Sequence, residues 1–223
     1  MIKRLLKILI GLSLIPACIG TSGAFYNVLC SIKSLGRTEV FFLAGALSYI
    51  LIFVFLFKMN YLYVLGHEAV HAVFAMLFGG KVKSFNVSGR GGSVGTTKSN
   101  FIISLAPYFF PVYTAAIVLG FVAVKFFLKD AAQYNSLILY LIGFSVSFHF
   151  VMTAHSLKTE QPDLVQNGYI FSLTLIYIIN ILVLTLLLSF IFKNVNMPAF
   201  FKDSFVRSKE VVVYILRLLF SAD

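Results

Sequence analysis

The sequence predicts an all-α polytopic membrane protein of five or six transmembrane helices that also carries a small membrane-associated β-hairpin. Apolar residues make up 60% of the 223 residues and charged residues only 12%, whereas soluble domains carry about 25% charged residues. Several apolar runs reach the roughly 20 residues that an α-helix needs to cross a bilayer. One glycine-rich stretch, residues 79–100, interrupts these runs with a different pattern.

The apolar runs predict the number of membrane spans. They cover residues 5–30, 40–79, 101–128, 134–156 and 168–192. A single helix over the second run would be about 60 Å long, roughly twice the thickness of the hydrocarbon core. We therefore expect either a break at Lys58-Met59-Asn60, which gives two helices, or one helix that projects beyond the bilayer.

The two ends of the chain have patterns of their own. Residues 1–39 begin with basic residues and an apolar run, which resembles a signal sequence and predicts an uncleaved signal-anchor helix followed by a loop. Residues 193–223 mix basic and apolar residues over a stretch too short to span, which predicts an amphipathic tail on the membrane interface. Residues 40–192 then form the membrane domain that carries the candidate chemistry.

The positive charge indicates a membrane protein rather than a nucleic-acid-binding protein. The net charge is +10, and the basic residues lie mostly at the edges of the apolar runs, as they do in the cytoplasmic flanks of membrane proteins. Basic clusters interleaved with stacking aromatic residues are not evident, so we exclude nucleic acid as a partner. We expect a multi-pass integral protein that contacts the lipid bilayer of a bacterial inner membrane.

Residues 80–98 have the pattern of a β-hairpin. Lys81 to Ser88 alternate polar and apolar residues, Gly89-Arg90-Gly91-Gly92 is typical of a turn, and Ser93 to Thr97 favour a second short strand. The exposed edge of a hairpin can pair with an extended peptide, and Gly91 and Gly92 would then help to bind substrate. The alternative is an ordinary glycine-rich connector.

The candidate chemistry lies in the second apolar run, at Gly66-His67-Glu68-Ala69-Val70-His71. Histidines four residues apart share one helix face, where two neutral imidazoles can bind one zinc ion. The glutamate between them can take a proton from water that the metal activates. Glu68 is the only carboxylate between Glu39 and Asp130, and an ionisable side chain at membrane depth marks a functional site by default. The alternative is a pair of hydrogen-bonded core histidines.

A catalytic zinc site usually has three protein ligands and one open position, and this pattern supplies two. His149, His155, Glu160 and Asp163 are the candidates for the third ligand. All four lie near the end of the fourth apolar run or just past it. The chemistry of their side chains does not choose among them.

The stretch from His67 to Gly80, with its flanking residues, resembles the site-2 protease family of intramembrane zinc metalloproteases. The resemblance implies a membrane helix with HExxH, a membrane-associated hairpin, a helix pair and a later helix that supplies an aspartate as third ligand. Gln161-Pro162-Asp163 matches the Pro-Asp core of that element, although Gln161 replaces asparagine and Leu164 replaces glycine. The resemblance thus assigns the third-ligand role to Asp163; the alternative is a solvated loop aspartate.

Three other residues are weaker candidates for the site. His149 is interpreted as a hydrogen-bonded membrane histidine or as a partner that orients a metal ligand. His155 could orient Asp163 or bind the metal directly. Asn100 could help to shape a substrate channel.

The resemblance implies a zinc metalloprotease that cleaves peptide bonds in or near transmembrane helices of membrane-protein substrates, with Glu68 as general base. One alternative is a non-catalytic membrane protein that binds metal or client proteins on the same scaffold. The intact Glu68 argues against it. Another is a metal transporter with His67 and His71 as a transit site. The scarcity of polar groups elsewhere in the apolar runs argues against that alternative.

Overall fold

The computed structural model describes residues 2–127 and 131–220. Residues 1, 128–130 and 221–223 lie outside it, and with them the last residue of the predicted span 101–128 and the end of the predicted tail. The described helices are α1 (Ile2–Ser13), α2 (Ile15–Ser31), α3 (Arg37–Phe55), α4 (Asn60–Leu77), α5 (Phe101–Leu105), α6 (Val112–Phe127), α7 (Asn135–Ser156), α8 (Pro162–Asn167), α9 (Tyr169–Ile191) and α10 (Met197–Phe220). Short 3₁₀ helices cover Ala106–Tyr108 and Ala131–Tyr134, and the strands are β1 (Val82–Ser88) and β2 (Gly91–Thr96).

The chain forms two compact units, one of which comprises residues 35–161. Within it, α3 and α7 pack closely through two glycines. A Cβ atom at Gly45 would collide with the carbonyl oxygen of Tyr140, and a Cβ atom at Gly143 would collide with the carbonyl oxygen of Phe42. Small residues of this kind let the backbones of two helices approach each other.

The predicted break in the long apolar run is confirmed. Helix α3 ends at Phe55 and α4 begins at Asn60, so Lys58 and Met59 lie between two helices. Helix α4 ends in a Schellman motif, in which Gly79 N–H donates to the Met76 carbonyl and Gly80 N–H donates to the Ala75 carbonyl, both at 2.8 Å. Gly79 takes a φ of 74° there, a conformation that glycine adopts without strain.

The predicted hairpin is also confirmed. Strands β1 and β2 pair antiparallel, with Val87 opposite Gly92 and Phe85 opposite Val94, and the register shifts between Val82 and Ser84. After the hairpin, α5 and the following 3₁₀ turn meet α6 at a bend of 81°. Pro111 lies in this bend, where its missing N–H and fixed φ favour a break in the helix.

The second compact unit joins residues 1–34 with residues 162–223. Within it, α10 runs antiparallel to α2. Asn27 Nδ2 donates to Asp203 Oδ2 at 2.8 Å, and the Arg207 side chain lies against Gly23 while its Nε donates to Asp203 Oδ1 at 2.9 Å. The tail is therefore one long helix that packs on α2. Its place on the membrane interface stays a prediction, as does the division into residues 1–39, 40–192 and 193–223.

Among the described residues, four helical segments are long and apolar enough to cross a membrane. They are Leu5–Ser31, Arg37–Phe55, Asn135–Ser156 and Tyr169–Ile191, and the bent pair Phe101–Tyr108 with Val112–Phe127 makes five if it counts as one span. The helical class and the hairpin agree with the sequence prediction. The four or five candidate spans overlap the predicted five or six at five, and a sixth span is not among the described helices. Helix α4 is not one of these candidate spans, because its polar residues lower its mean hydropathy. Glu68 and both histidines of HExxH are among those polar residues.

Candidate metal centre

Helix α4 brings His67 and His71 onto one face. Their Nε2 atoms lie 3.2 Å apart, and the two rings meet edge to face with centroids 4.8 Å apart. The spacing follows from helix geometry, because side chains four residues apart lie one above the other. The Nε2 atoms of the two rings thus face a common point.

His71 is oriented from the side of the ring opposite to His67. Its Nδ1–H donates to the carbonyl oxygen of Ile103 at 2.9 Å. Because a carbonyl only accepts, the Nδ1 atom of His71 carries the proton and its Nε2 atom keeps a lone pair directed at His67. A backbone carbonyl that holds the far nitrogen of a histidine is the usual support of a metal-ligating imidazole.

Asn100 caps the helical turn that carries the Ile103 carbonyl. It is the N-cap of α5, and its Oδ1 accepts from Ile103 N–H at 2.8 Å. Side-chain caps of this kind stabilise the first turn of a helix. The structure therefore gives Asn100 a capping role next to the histidine pair, whereas its proposed part in a substrate channel stays a prediction.

The distance between the two histidines fits a metal ion. Two nitrogen ligands of tetrahedral zinc, each about 2.0–2.1 Å from the ion, lie roughly 3.3 Å apart. The Nε2–Nε2 distance is 3.2 Å. A neutral pair could also share one proton at this separation, so the distance alone accommodates both a hydrogen bond and a chelated ion. The Ile103 carbonyl sets His71 in the tautomer with a lone pair on Nε2, which suits a metal ligand and equally an acceptor of a hydrogen bond from His67.

Glu68 lies under the hairpin. The side chain is buried, with 7% of its surface exposed. A Cβ atom at Gly92 would lie 2.6 Å from Glu68 Cγ, 2.9 Å from Glu68 Oε1 and 2.8 Å from Val64 Cγ1. The backbone of β2 can therefore reach the carboxylate only because residue 92 has no side chain. Gly91, at a φ of 159°, has open space around its Cβ position.

Tyr108 packs on the other side of His67. It is fully buried, and its ring meets the His67 ring edge to face with centroids 5.0 Å apart. Its hydroxyl donates to Gln161 Oε1 at 3.3 Å. Gln161 Nε2 donates in turn to the Ser156 carbonyl at 2.9 Å, which ties Gln161 to the end of α7.

The other two histidines lie in different surroundings. His149 is buried in α7, and it lines, together with His67, Tyr63, Gly66 and Pro107, a cavity of about 20 Å³. That volume suffices for one water molecule. His155 packs edge to face on Phe53 of α3 with ring centroids 5.6 Å apart. Within the described part of residues 35–161, no third His, Cys, Asp or Glu side chain joins His67 and His71 in a group that could hold a metal ion.

Asp163 stands in the first turn of α8, in the other compact unit. Its main-chain carbonyl accepts from Asn167 Nδ2 at 3.0 Å, and Asn167 Oδ1 accepts from Lys7 Nζ at 3.1 Å. The segment that carries Asp163 is therefore held at its far end by α1. Glu160, three residues earlier, is exposed.

Sequence reasoning missed four of these residues. Tyr108 and the Ile103 carbonyl lie in apolar sequence, where no local pattern marks them as partners of a histidine. The sequence marks Lys7 only as one of the basic residues near the edge of the first apolar run, and no pattern marks Asn167. Each acts through a contact between elements that are distant in the chain, and no sequence pattern reports such a contact.

Comparisons with protein-family models, with curated proteins and with solved structures find no match to this chain.

Proposed function

We propose that this protein is an intramembrane zinc metalloprotease of the site-2 protease type, with His67, His71 and Asp163 as zinc ligands and Glu68 as general base. The observation that carries the proposal is the histidine pair, whose Nε2 atoms lie 3.2 Å apart with the His71 ring oriented by a backbone carbonyl. A buried carboxylate stands between the two ligands on the same helix. Zinc, a buried base and apolar surroundings are together typical of metal-assisted hydrolysis.

Chain connectivity supports Asp163 as the third ligand. Gln161 accepts from Tyr108, whose ring contacts His67. Asp163 follows Gln161 by two residues, and two residues of chain span at most about 7 Å. The proline between them opens α8 and lacks an N–H. His149 and His155 are left with supporting roles, since neither belongs to a ligand group with the histidine pair among the described residues.

In the proposed reaction, the metal site, Glu68 and the hairpin have separate roles. Zinc held by His67, His71 and Asp163 would supply a Lewis acid and would make bound water nucleophilic near neutral pH. Glu68 takes the proton of the attacking water on its carboxylate and passes it to the nitrogen of the leaving amine. The hairpin above Glu68 excludes bulk water from the carboxylate, which strengthens electrostatic interactions in the site.

The substrate class follows from the surroundings of the site. Among the described residues, four other helical segments are long and apolar enough to span a bilayer, so a substrate helix can approach α4 within the membrane. The carbonyl groups of a helix are occupied by its own hydrogen bonds, and the helix must unwind before cleavage. The hairpin of β1 and β2 offers strand edges on which the unwound segment can pair. A bacterial inner membrane is the proposed location.

The test compares wild type with Glu68→Gln. Both are purified in detergent without added metal, their zinc content is measured, and each is incubated with a fluorogenic peptide that contains a glycine-interrupted transmembrane helix. We expect equal zinc content and a loss of cleavage of about 10²–10⁴-fold in the variant, since general base catalysis contributes about that factor. Glu39→Gln, at the start of α3, is the matched control and keeps wild-type activity.

Three outcomes would contradict the proposal. Undiminished cleavage by Glu68→Gln would remove the general base from the mechanism. Zinc flux into liposomes carrying wild type and Glu68→Gln equally, with cleavage by neither, would instead identify a transporter. Binding of zinc without either activity would leave a non-catalytic metal-binding protein.

A further inference from the structure

The side chain of Asn167 connects α1 to the segment that carries Asp163. Lys7 Nζ donates to Asn167 Oδ1 at 3.1 Å, and Asn167 Nδ2 donates to the main-chain carbonyl of Asp163 at 3.0 Å. Asn167 is buried, with 6% of its surface exposed. All three residues belong to the same compact unit. We call this chain of two hydrogen bonds the Lys7–Asn167 brace.

The orientation of the Asn167 amide links its two hydrogen bonds. An ammonium group can only donate, so it selects the oxygen of the Asn167 amide and leaves the NH₂ group to face Asp163. The bond from Lys7 is charge-assisted and therefore stronger than a bond between neutral groups. Because the amide is buried, loss of either partner leaves a polar group that must be satisfied in another way.

The backbone turn after α8 leaves room for the side chain of Lys7. Gly168 has a φ of 91°, and a Cβ atom there would lie 3.5 Å from Lys7 Cβ and 3.8 Å from Lys7 Cδ. The side chain of Lys7 thus lies along the turn that ends α8. A further bond, from Ser172 Oγ to the Leu164 carbonyl at 3.3 Å, ties the first turn of α8 to α9. Helix α8 has only six residues, too few for intrahelical bonds alone to make it stable.

We infer that Lys7 and Asn167 are positioning residues for Asp163: they fix the main chain at the residue whose carboxylate is the proposed third metal ligand. This inference rests on the proposed function. Lys7 then has a structural role, since its side chain supports the segment that carries Asp163. Partners that hold a ligand in place typically change metal affinity by about 10–100-fold when they are removed.

The test measures zinc affinity by competition with a chromogenic chelator in detergent, on full-length protein first stripped of metal. We expect Lys7→Met to bind zinc about 10–100-fold more weakly than wild type. Lys7→Arg retains a cationic donor and should stay within about threefold of wild type. Lys193→Met removes an exposed lysine at the end of α9 and is the matched control, with unchanged affinity. Asn167→Asp keeps the acceptor for Lys7 but loses the donor to Asp163, so it should weaken binding as well.

Three further measurements separate positioning from a general loss of structure. Cobalt(II) replaces zinc as a spectroscopic probe, and the intensity of its visible d–d bands should fall in Lys7→Met as it does in Asp163→Ala. The double variant Lys7→Met/Asp163→Ala should bind no more weakly than Asp163→Ala, because both changes remove the same ligand. Metal-free Lys7→Met should still unfold cooperatively, with a midpoint only a few degrees below that of metal-free wild type, because it leaves one buried acceptor unsatisfied.

The outcomes are distinguishable from failure of the proposed function. Equal zinc affinity and equal cobalt spectra for wild type, Lys7→Met and Asn167→Asp would overturn the inference alone. Additive losses in the double variant would also overturn it, since Lys7 would then act independently of Asp163. Absence of zinc binding by wild type would overturn the proposed function itself, and the inference with it.

Discussion

Gly92 of the hairpin lies directly against Glu68 of the HExxH helix. A Cβ atom at position 92 would lie 2.6 Å from Glu68 Cγ and 2.9 Å from its Oε1 atom. Real side chains do not approach so closely, so any residue other than glycine would displace the strand or the carboxylate. The hairpin and the candidate general base therefore have to be considered as one unit.

Substitution of Gly92 should reduce cleavage without removing the metal. We expect Gly92→Ala to lower kcat/KM by about 10²-fold, because a shift of about 1 Å in a catalytic group can cost that much. Gly89→Ala is the matched control, since a Cβ atom there meets no other atom within 4 Å. The measurement is cleavage of the helical peptide together with zinc content. Equal rates for the two variants would show that the approach of β2 to Glu68 does not matter for the reaction.

Tyr108→Phe tests the link from the histidine pair to Gln161. The change keeps the aromatic ring against His67 but removes the hydroxyl that donates to Gln161. A hydrogen bond of this type contributes about 0.5–1.5 kcal/mol, so we expect zinc affinity to fall by roughly 2- to 12-fold. Tyr61→Phe removes an exposed hydroxyl from the start of α4 and serves as control. Unaltered affinity in Tyr108→Phe would remove this support for Asp163 as a ligand.

The cap of α5 should matter for both stability and metal binding. Asn100→Ala removes the acceptor for Ile103 N–H and should destabilise the protein by about 0.5–2 kcal/mol. Because the Ile103 carbonyl orients His71, zinc affinity should fall too. Asn100→Asp keeps a capping oxygen and should restore both properties. A variant with lost stability but wild-type zinc affinity would show that the cap and the histidine are independent.

The close crossing of α3 and α7 predicts opposite effects for two glycines. Gly143→Ala would place a Cβ atom against the carbonyl of Phe42, and overpacking of this kind costs about 1–3 kcal/mol. Gly120→Ala, in α6, meets open space and should stabilise the helix by about 0.5–1 kcal/mol. Thermal unfolding in detergent measures both. A loss of stability in Gly120→Ala equal to that in Gly143→Ala would contradict the assigned contact.

Much of the local structure could be predicted because it depends on neighbouring residues. The alternation of Lys81 to Ser88 predicted β1, and the polar residues around Lys58 predicted the break before α4. The spacing of His67 and His71 predicted their common face, since helix geometry alone determines it. These features follow from backbone periodicity and need no knowledge of tertiary packing.

The supports of the site could not be predicted, because each joins residues that are far apart in the chain. The Ile103 carbonyl that orients His71 is a backbone group, which no residue type reveals. Lys7 and Asn167 are 160 positions apart. The tail was expected to lie on the membrane interface from its composition, which does not show that α10 packs along α2. The composition of a helix indicates which environments its surface tolerates, whereas tertiary contacts determine which element packs against it.

The most direct test of the central claim is elemental analysis of the purified protein. Wild type and Glu68→Gln should each contain about one zinc ion per chain, as a site with three protein ligands requires. His67→Gln/His71→Gln should lose nearly all of it and cleave nothing. A wild-type preparation that cleaves the helical peptide while containing no transition metal would contradict the account.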